Sequence, residues 1–205
     1  MRIYKFMILG LMAMTLAGCG INNIPSYDQA MKGKWGQVQN EYQRRSDLVP
    51  NLVETVKGYA AQEKDTLTAV VEARAKATSI QLSPDIVNDP EKFAKYQAAQ
   101  GQLSQALGKL LSITEAYPDL KSNQNFLALQ SQLEGTENRI AVARRDYIGA
   151  VQVYNTELVT FPGRLWAATM YAGYKPAASF SADAGSEQSP KVNFGKDKPK
   201  TGTGG

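Results

Sequence analysis

Histidine is absent from the 205 residues, and cysteine occurs once. Without histidine the chain lacks the commonest general base and the commonest metal ligand. A single cysteine rules out an intrachain disulfide and any Cys-rich metal site. His-containing triads, HExxH zinc sites and CxxC redox motifs are excluded together. Long hydrophobic runs are scarce as well. The apolar stretch Phe6 to Gly18 has 13 residues, short of the ~20 that a spanning helix needs. What is present suits a core: hydrophobic residues make up 43% and charged residues 20%. The length fits one domain with accessory segments better than two domains.

The N-terminus reads as an address. Arg2 and Lys5 precede the short apolar run, and small residues close it, which is the secretory signal pattern. The run ends Leu16-Ala17-Gly18-Cys19, similar to a bacterial lipobox, whose cysteine becomes the first mature residue and carries acyl chains on sulfur and amine. Cys19 is therefore the expected lipidation site. Two or three acyl chains make such an attachment effectively stable. Residues 1–18 are expected to be removed as a signal peptide. Loss of Arg2 and Lys5 lowers the formal charge from +4 to +2, a balance that gives no support to nucleic-acid binding. Gly20 stands where an aspartate would act as a retention signal, so a two-membrane cell would sort the protein to the periplasmic side of its outer membrane.

Residues 19–27, containing GINNIPS, read as a tether. From Lys175 onward the chain is rich in Gly, Ser, Pro and Lys. With scattered apolar residues it cannot offset ordering entropy, so 175–205 are expected to be disordered. Between these ends, 28–174 form one helical domain. A 3–4 spacing runs through Trp35, Val38, Tyr42, Arg45, Val49, Leu52, Val56, Tyr59, Glu63 and Leu67. A second seam runs Phe93, Tyr96, Gln100, Leu103, Leu107, Leu110, Thr114, Tyr117, and a third runs from Phe126 through Leu133, Thr136, Ile140 and Tyr147 to Phe161. The pattern predicts an all-α protein, an elongated antiparallel bundle of long helices. The first is expected from about Asp28 to Ser79, kinked at Pro50 with helix on both sides. Asp89 with Pro90, and Asn123, are expected to start later helices. Pro118 and Phe161-Pro162-Gly163 mark breaks.

Charged residues interrupt the apolar stripes. Arg45 lies on the first seam, and Glu54, Arg74, Glu115, Glu137 and Arg144 lie on or beside the others. A buried charge must be paired, so these six make a candidate structural polar network, with Glu137 the first choice of acceptor for Arg45. The carbonyl of Ser46, freed by Pro50, is a second expected acceptor. The same residues could instead line a polar ligand site. No separate nucleophile, metal set or phosphate-cradling glycine loop accompanies them, and no cofactor is expected.

Three stretches resemble the LemA family of bacterial envelope proteins. The first is Trp35, Arg44-Arg45-Ser46-Asp47-Leu48-Val49-Pro50-Asn51-Leu52-Val53-Glu54, Tyr59 and Ala73-Arg74. The second is Glu115-Ala116-Tyr117-Pro118-Asp119-Leu120-Lys121 with Asn125-Phe126. The third is Thr136-Glu137-Asn138-Arg139-Ile140, Ala143-Arg144, Tyr147, Tyr154-Asn155 and Phe161-Pro162. The resemblance covers about Asp28 to Ala182. It implies a membrane-tethered helical bundle facing away from the cytosol. Many members are held by an uncleaved N-terminal helix, whereas this chain carries its lipobox. Gln62-Glu63 stand where a His-Glu pair is common, and Gly173-Tyr174 where a Gly-Phe pair is.

Three functions compete on these residues. The first is a non-enzymatic scaffold or interaction module, held by its N-terminal lipid anchor and meeting unknown envelope proteins. The second is a sensor that binds a small molecule or peptide at the polar seam. The third is a hydrolase using a carboxylate pair that includes Glu137.

Overall fold

In a computed structural model of the chain, residues 20–80 and 84–181 are described. Among the described residues six helices follow one another: α1 Asn23–Lys57, α2 Lys64–Ser79, α3 Pro90–Thr114, α4 Pro118–Lys121, α5 Gln124–Val159 and α6 Gly163–Thr169. A 3-10 turn spans Pro84–Asn88 between α2 and α3. Among the described residues there is no β-strand. The expected all-α bundle is what forms. Its two longest helices, of 35 and 36 residues, each extend roughly 50 Å at 1.5 Å per residue.

Those two helices run antiparallel. Asn23 meets Glu157, Lys34 meets Asp146, Glu41 meets Arg139 and Arg45 meets Glu137. The α2–α3 hairpin packs over one half of this pair. Asp89 caps α3 by accepting the Lys92 N–H at 3.1 Å, with Pro90 in the first turn. Asn123 caps α5 by accepting the Phe126 N–H at 3.0 Å. Each cap satisfies a backbone donor that the first helical turn leaves open.

Three expectations are corrected. The first helix does not continue to Ser79. It runs through Pro50 and stops at Gly58, and the chain reverses before α2. The reversal lays Leu67, Val70, Ala73 and Ala77 against Val49, Leu52, Val53 and Val56 in one buried cluster. Glu63, expected on a continuous seam, accepts the Tyr117 hydroxyl at 2.7 Å beside the α2–α3 hairpin. The tether is also shorter than expected. Asn23 to Ser26 are helical and Ile24 is buried, because Ile24 belongs to the aromatic core cluster.

The third correction concerns residues 175–181, expected to be disordered. They form an extended strap along α5. The Tyr154 hydroxyl donates to the Lys175 carbonyl, and the Tyr147 hydroxyl to that of Ala178. Asn155 exchanges two hydrogen bonds with Ala177, and the Ala178 N–H reaches the Val87 carbonyl. Ala177 and Phe180 are buried. The remaining residues of the expected tail, 182–205, lie outside the described residues.

Burial pushes the phenols of this region up, Tyr154 to about 12 and Tyr96 and Tyr147 further. In the unfolded chain a tyrosine ionises near pH ~10. The raised folded-state values mean that stability is level below that pH and falls as pH rises towards the folded-state values. Denaturation midpoints measured from about pH 8 to about pH 12 should show this decline, and Tyr147→Phe should flatten it. A decline unaltered in Tyr147→Phe would contradict the assignment.

Candidate functional site

The buried apolar residues divide into two clusters. One holds Trp35, Tyr42, Phe93, Tyr96, Ile140, Tyr147 and Phe180, and the other Val49, Leu52, Val70, Leu103, Leu107 and Leu133. Between them lies a polar layer built from Arg45 and Ser46 of α1, Gln100 and Ser104 of α3, and Thr136 and Glu137 of α5. Arg45 sits one turn before Pro50, on the face that α1 turns to the core, and only 1% of it is exposed.

The guanidinium is held from two helices. Nη1 donates to Ser104 Oγ at 2.5 Å and to Glu137 Oε1 at 3.0 Å. Nη2 donates to the Gln100 carbonyl at 3.1 Å and to Gln100 Oε1 at 2.5 Å. Buried Nε alone lacks an acceptor. The group also lies 5.0 Å from the centroid of the Tyr42 ring. Hydrogen bonds to a charged group are worth about 1.5–3 kcal/mol net, so the cluster offsets much of the desolvation of Arg45. The side chain of Glu137 stays 39% exposed, which leaves part of its carboxylate hydrated.

Pro50 has no N–H, so the Ser46 carbonyl loses its helical donor. Arg74 of α2 takes that place, with Nε donating to Ser46 O at 2.9 Å. The freed carbonyl thus ties α2 to α1 and does not serve Arg45. Beside the layer, Arg139 donates to Thr136 Oγ1 at 2.8 Å and to Glu41 Oε2 at 3.0 Å.

Of the six residues singled out in the sequence, the structure brings Arg45, Glu137 and Arg144 to one groove of about 460 Å³, together with Gln97, Gln100 and Ser104. Arg144 is half-buried, with its guanidinium 4.4 Å from the centroid of the Phe180 ring. Arg74 stands apart at Ser46. Glu54 and Glu115 do not join. Glu54 is exposed and faces Lys57 at 3.5 Å, because it lies on the outer face of α1. Glu115 is exposed just beyond the end of α3. Cys19 lies outside the described residues. Gln100 and Thr136 are members that sequence reasoning passed over, although their polar character at seam positions was a signal. Ser104 lies beside the seam residue Leu103 and carried none.

Glu137 is the one carboxylate lining the groove, so a carboxylate pair for acid–base hydrolysis has no second member there. Among the described residues, no group of three His, Cys, Asp or Glu side chains could hold a metal ion.

Comparison with known proteins gives concordant results. The LemA family profile matches residues 34–194. The chain is 25% identical over 175 residues to magnetosome protein MamQ 2 of Paramagnetospirillum magneticum, covering 78% of this chain and 64% of that protein. It is 25% identical over 154 residues to magnetosome protein MamQ of Magnetospirillum gryphiswaldense, with 67% and 56% covered. It is 24% identical over 124 residues to protein LemA of Metamycoplasma hominis, with 60% and 52% covered. The chain therefore spans less than two thirds of the length of each of these relatives.

Proposed function

The chain belongs to the LemA family, and from that premise we propose a lipid-anchored protein of the bacterial envelope, acting as a non-enzymatic interaction or scaffold module. The observation that carries this reading is the internal pairing of the Arg45 terminal nitrogens. Both terminal nitrogens of the buried guanidinium are taken by Ser104, Glu137 and Gln100 of the same chain. Its charge braces three helices and is not offered to a substrate. What the body presents outward is α5, whose exposed side includes Leu127, Val142, Ile148 and Val153.

The lipobox supports attachment through Cys19 on the non-cytoplasmic face of a membrane, the periplasmic side of the outer membrane in a two-membrane cell. Among the described residues no helix is long and apolar enough to cross a membrane. Mass spectrometry of the mature protein should find acyl chains on Cys19 and residues 1–18 gone. An N-terminus that retains residues 1–18, or an unmodified Cys19, would refute the anchor.

The module itself is tested by proximity labelling in the native envelope. A reproducible set of neighbours should be recovered, and Val142→Glu with Val153→Glu should deplete it while helicity is kept. Hydrolysis of an envelope substrate that Glu137→Gln abolishes would overturn the non-enzymatic assignment. A second reading, a sensor for a small acidic molecule or peptide, is favoured by Arg144. This residue lines the groove, and it forms no ion pair among the described residues. Thermal stabilisation by such a molecule, lost in Arg144→Ala, would select that reading.

A further inference from the structure

One end of the bundle is strongly apolar at its surface. Val159, Phe161, Leu165 and Ala168 share a concave surface with Arg164. Phe161 is 86% exposed, and Val159, Leu165 and Met170 are each more than half exposed. Val159, Phe161 and Leu165 come from the last turn of α5, the Phe161-Pro162 turn and α6, and Met170 follows α6 on the flank towards Tyr154. Chain geometry holds them there. Gly163 is buried, and a Cβ at that position would collide with the Glu157 carbonyl, so α6 can turn this closely off α5 only at a glycine.

The described chain begins at the same end. Gly20, in the left-handed region at φ +94°, lies against Pro162, and Asn23 donates to Glu157 at 3.1 Å. Gly20, the first described residue, directly follows in sequence the expected lipidation site. The charges between Leu158 and Ser181 are Arg164 and Lys175, both cationic and both exposed. Trp166, Tyr171 and Tyr174 are half-buried in the same segment. Exposed Phe and Leu with basic residues and an aromatic fringe are the composition of a surface that sits in the headgroup region of a bilayer.

We propose that the α5–α6 end is a membrane-seating surface, in which Phe161, Val159, Leu165 and Met170 enter the lipid headgroup boundary and Arg164 and Lys175 face anionic headgroups. The proposal rests on the anchored reading above for its orientation. Acyl chains on Cys19 would bring this end to the bilayer, and its apolar side chains would then hold the bundle upright. A flexible tether alone would let the rod lie at any angle. The opposite end, at Tyr59, Asn123 and Tyr117, would project away from the membrane by the length of α5, roughly 50 Å.

The test uses the full acylated protein in vesicles of phosphatidylethanolamine and phosphatidylglycerol. With Cys19 acylated, Val159→Cys and Leu127→Cys each supply a single reactive thiol, on one helix but near its two ends. An environment-sensitive dye at position 159 should shift to the blue on vesicle binding and be quenched by brominated lipid, whereas at 127 it should report water. In a Phe161→Glu, Leu165→Glu background the protein should still float with the vesicles, but the shift at 159 should be lost. Equal signals at 159 and 127, or a signal at 159 that survives both glutamates, would overturn the seating surface. If mass spectrometry finds Cys19 unacylated, flotation that is abolished by the two glutamates supports the surface and refutes the anchor. No flotation of either form refutes both.

Discussion

Glu137→Ala should destabilise the folded protein by about 3 kcal/mol, the low end for breaking a buried pair, since Glu137 is partly hydrated and Arg45 keeps Ser104 and Gln100. The two partners are not equivalent. Glu137 is partly hydrated, whereas Arg45 is sealed in the layer between the two apolar clusters. Removing the carboxylate therefore leaves a buried cation that cannot lose its proton with only the neutral acceptors of Ser104 and Gln100. Removing the cation leaves a glutamate that rehydrates, but it also empties a large buried volume and unpairs Gln100, which is itself buried. Arg45→Ala should thus also be costly, about 3 kcal/mol, through a different route. The double substitution should fall well short of the sum, with a coupling between about 0.5 and 3 kcal/mol. Urea denaturation of the four proteins gives the answer. Additive costs, each below about 1 kcal/mol, would mean that Arg45 escapes to solvent.

The polar layer also bears on register. The pairings of α1 with α5, from Asn23–Glu157 to Arg45–Glu137, stay within two residues of one antiparallel alignment. A slip of one turn would slide the Arg45 guanidinium out of reach of Ser104, Gln100 and Glu137. It would then face the Leu103 and Leu133 side of the core. A fully apolar seam imposes no such penalty, since one leucine replaces another. The buried ion pair is weak as a source of stability and strong as a specification of alignment.

How much of this was readable depends on how local the signal is. Asp89 with Pro90, and Asn123, mark helix starts because a capping side chain acts on a backbone three residues away. The Arg45–Glu137 contact was legible because an unneutralisable charge on a core-facing position needs an acceptor, and few carboxylates face the core. The break at Gly58 was not legible from periodicity, since the 3–4 spacing runs unbroken from Val56 through Tyr59 and Glu63 to Leu67. The reversal keeps Val56 and Leu67 buried but puts Ala60 in the core and leaves Tyr59 exposed, a difference that the spacing does not show. The local hint was Gly58 itself, which costs about 1 kcal/mol inside a helix. Glu54 and Glu115 neighbour the seams in sequence but stand outside the polar layer. A helix rotates each residue by about a third of a turn relative to the last, so the next position already points away.

The strap over α5 was hidden for a different reason, and its removal is the second large effect. An isolated KPAASFS has too few apolar residues to order itself, but this one uses α5 as a template. Tyr147, Tyr154 and Asn155 supply side-chain hydrogen bonds to its backbone, so the segment needs no ladder of its own. One large side chain then suffices as an anchor. The Phe180 ring lies 5.0 Å from Phe93, 5.7 Å from Tyr147 and 6.2 Å from Trp35, centroid to centroid, with Arg144 beside it. Phe180→Ala should cost about 3 kcal/mol, the low end for a buried phenylalanine because the strap can relax. Deleting residues from Ser179 onward should cost at least as much, which reverses the expectation for a tail that lacks a core pattern. Asn155→Ala should cost about 1–3 kcal/mol by unpairing the Ala177 backbone. Combined with Phe180→Ala it should add little, since either change frees the same segment. Trp35 gives the optical readout, because losing Phe180 opens its ring to water and should shift its emission to the red. A Phe180→Ala protein with unchanged emission and a cost below about 0.5 kcal/mol would show that the strap lies on the bundle without holding it.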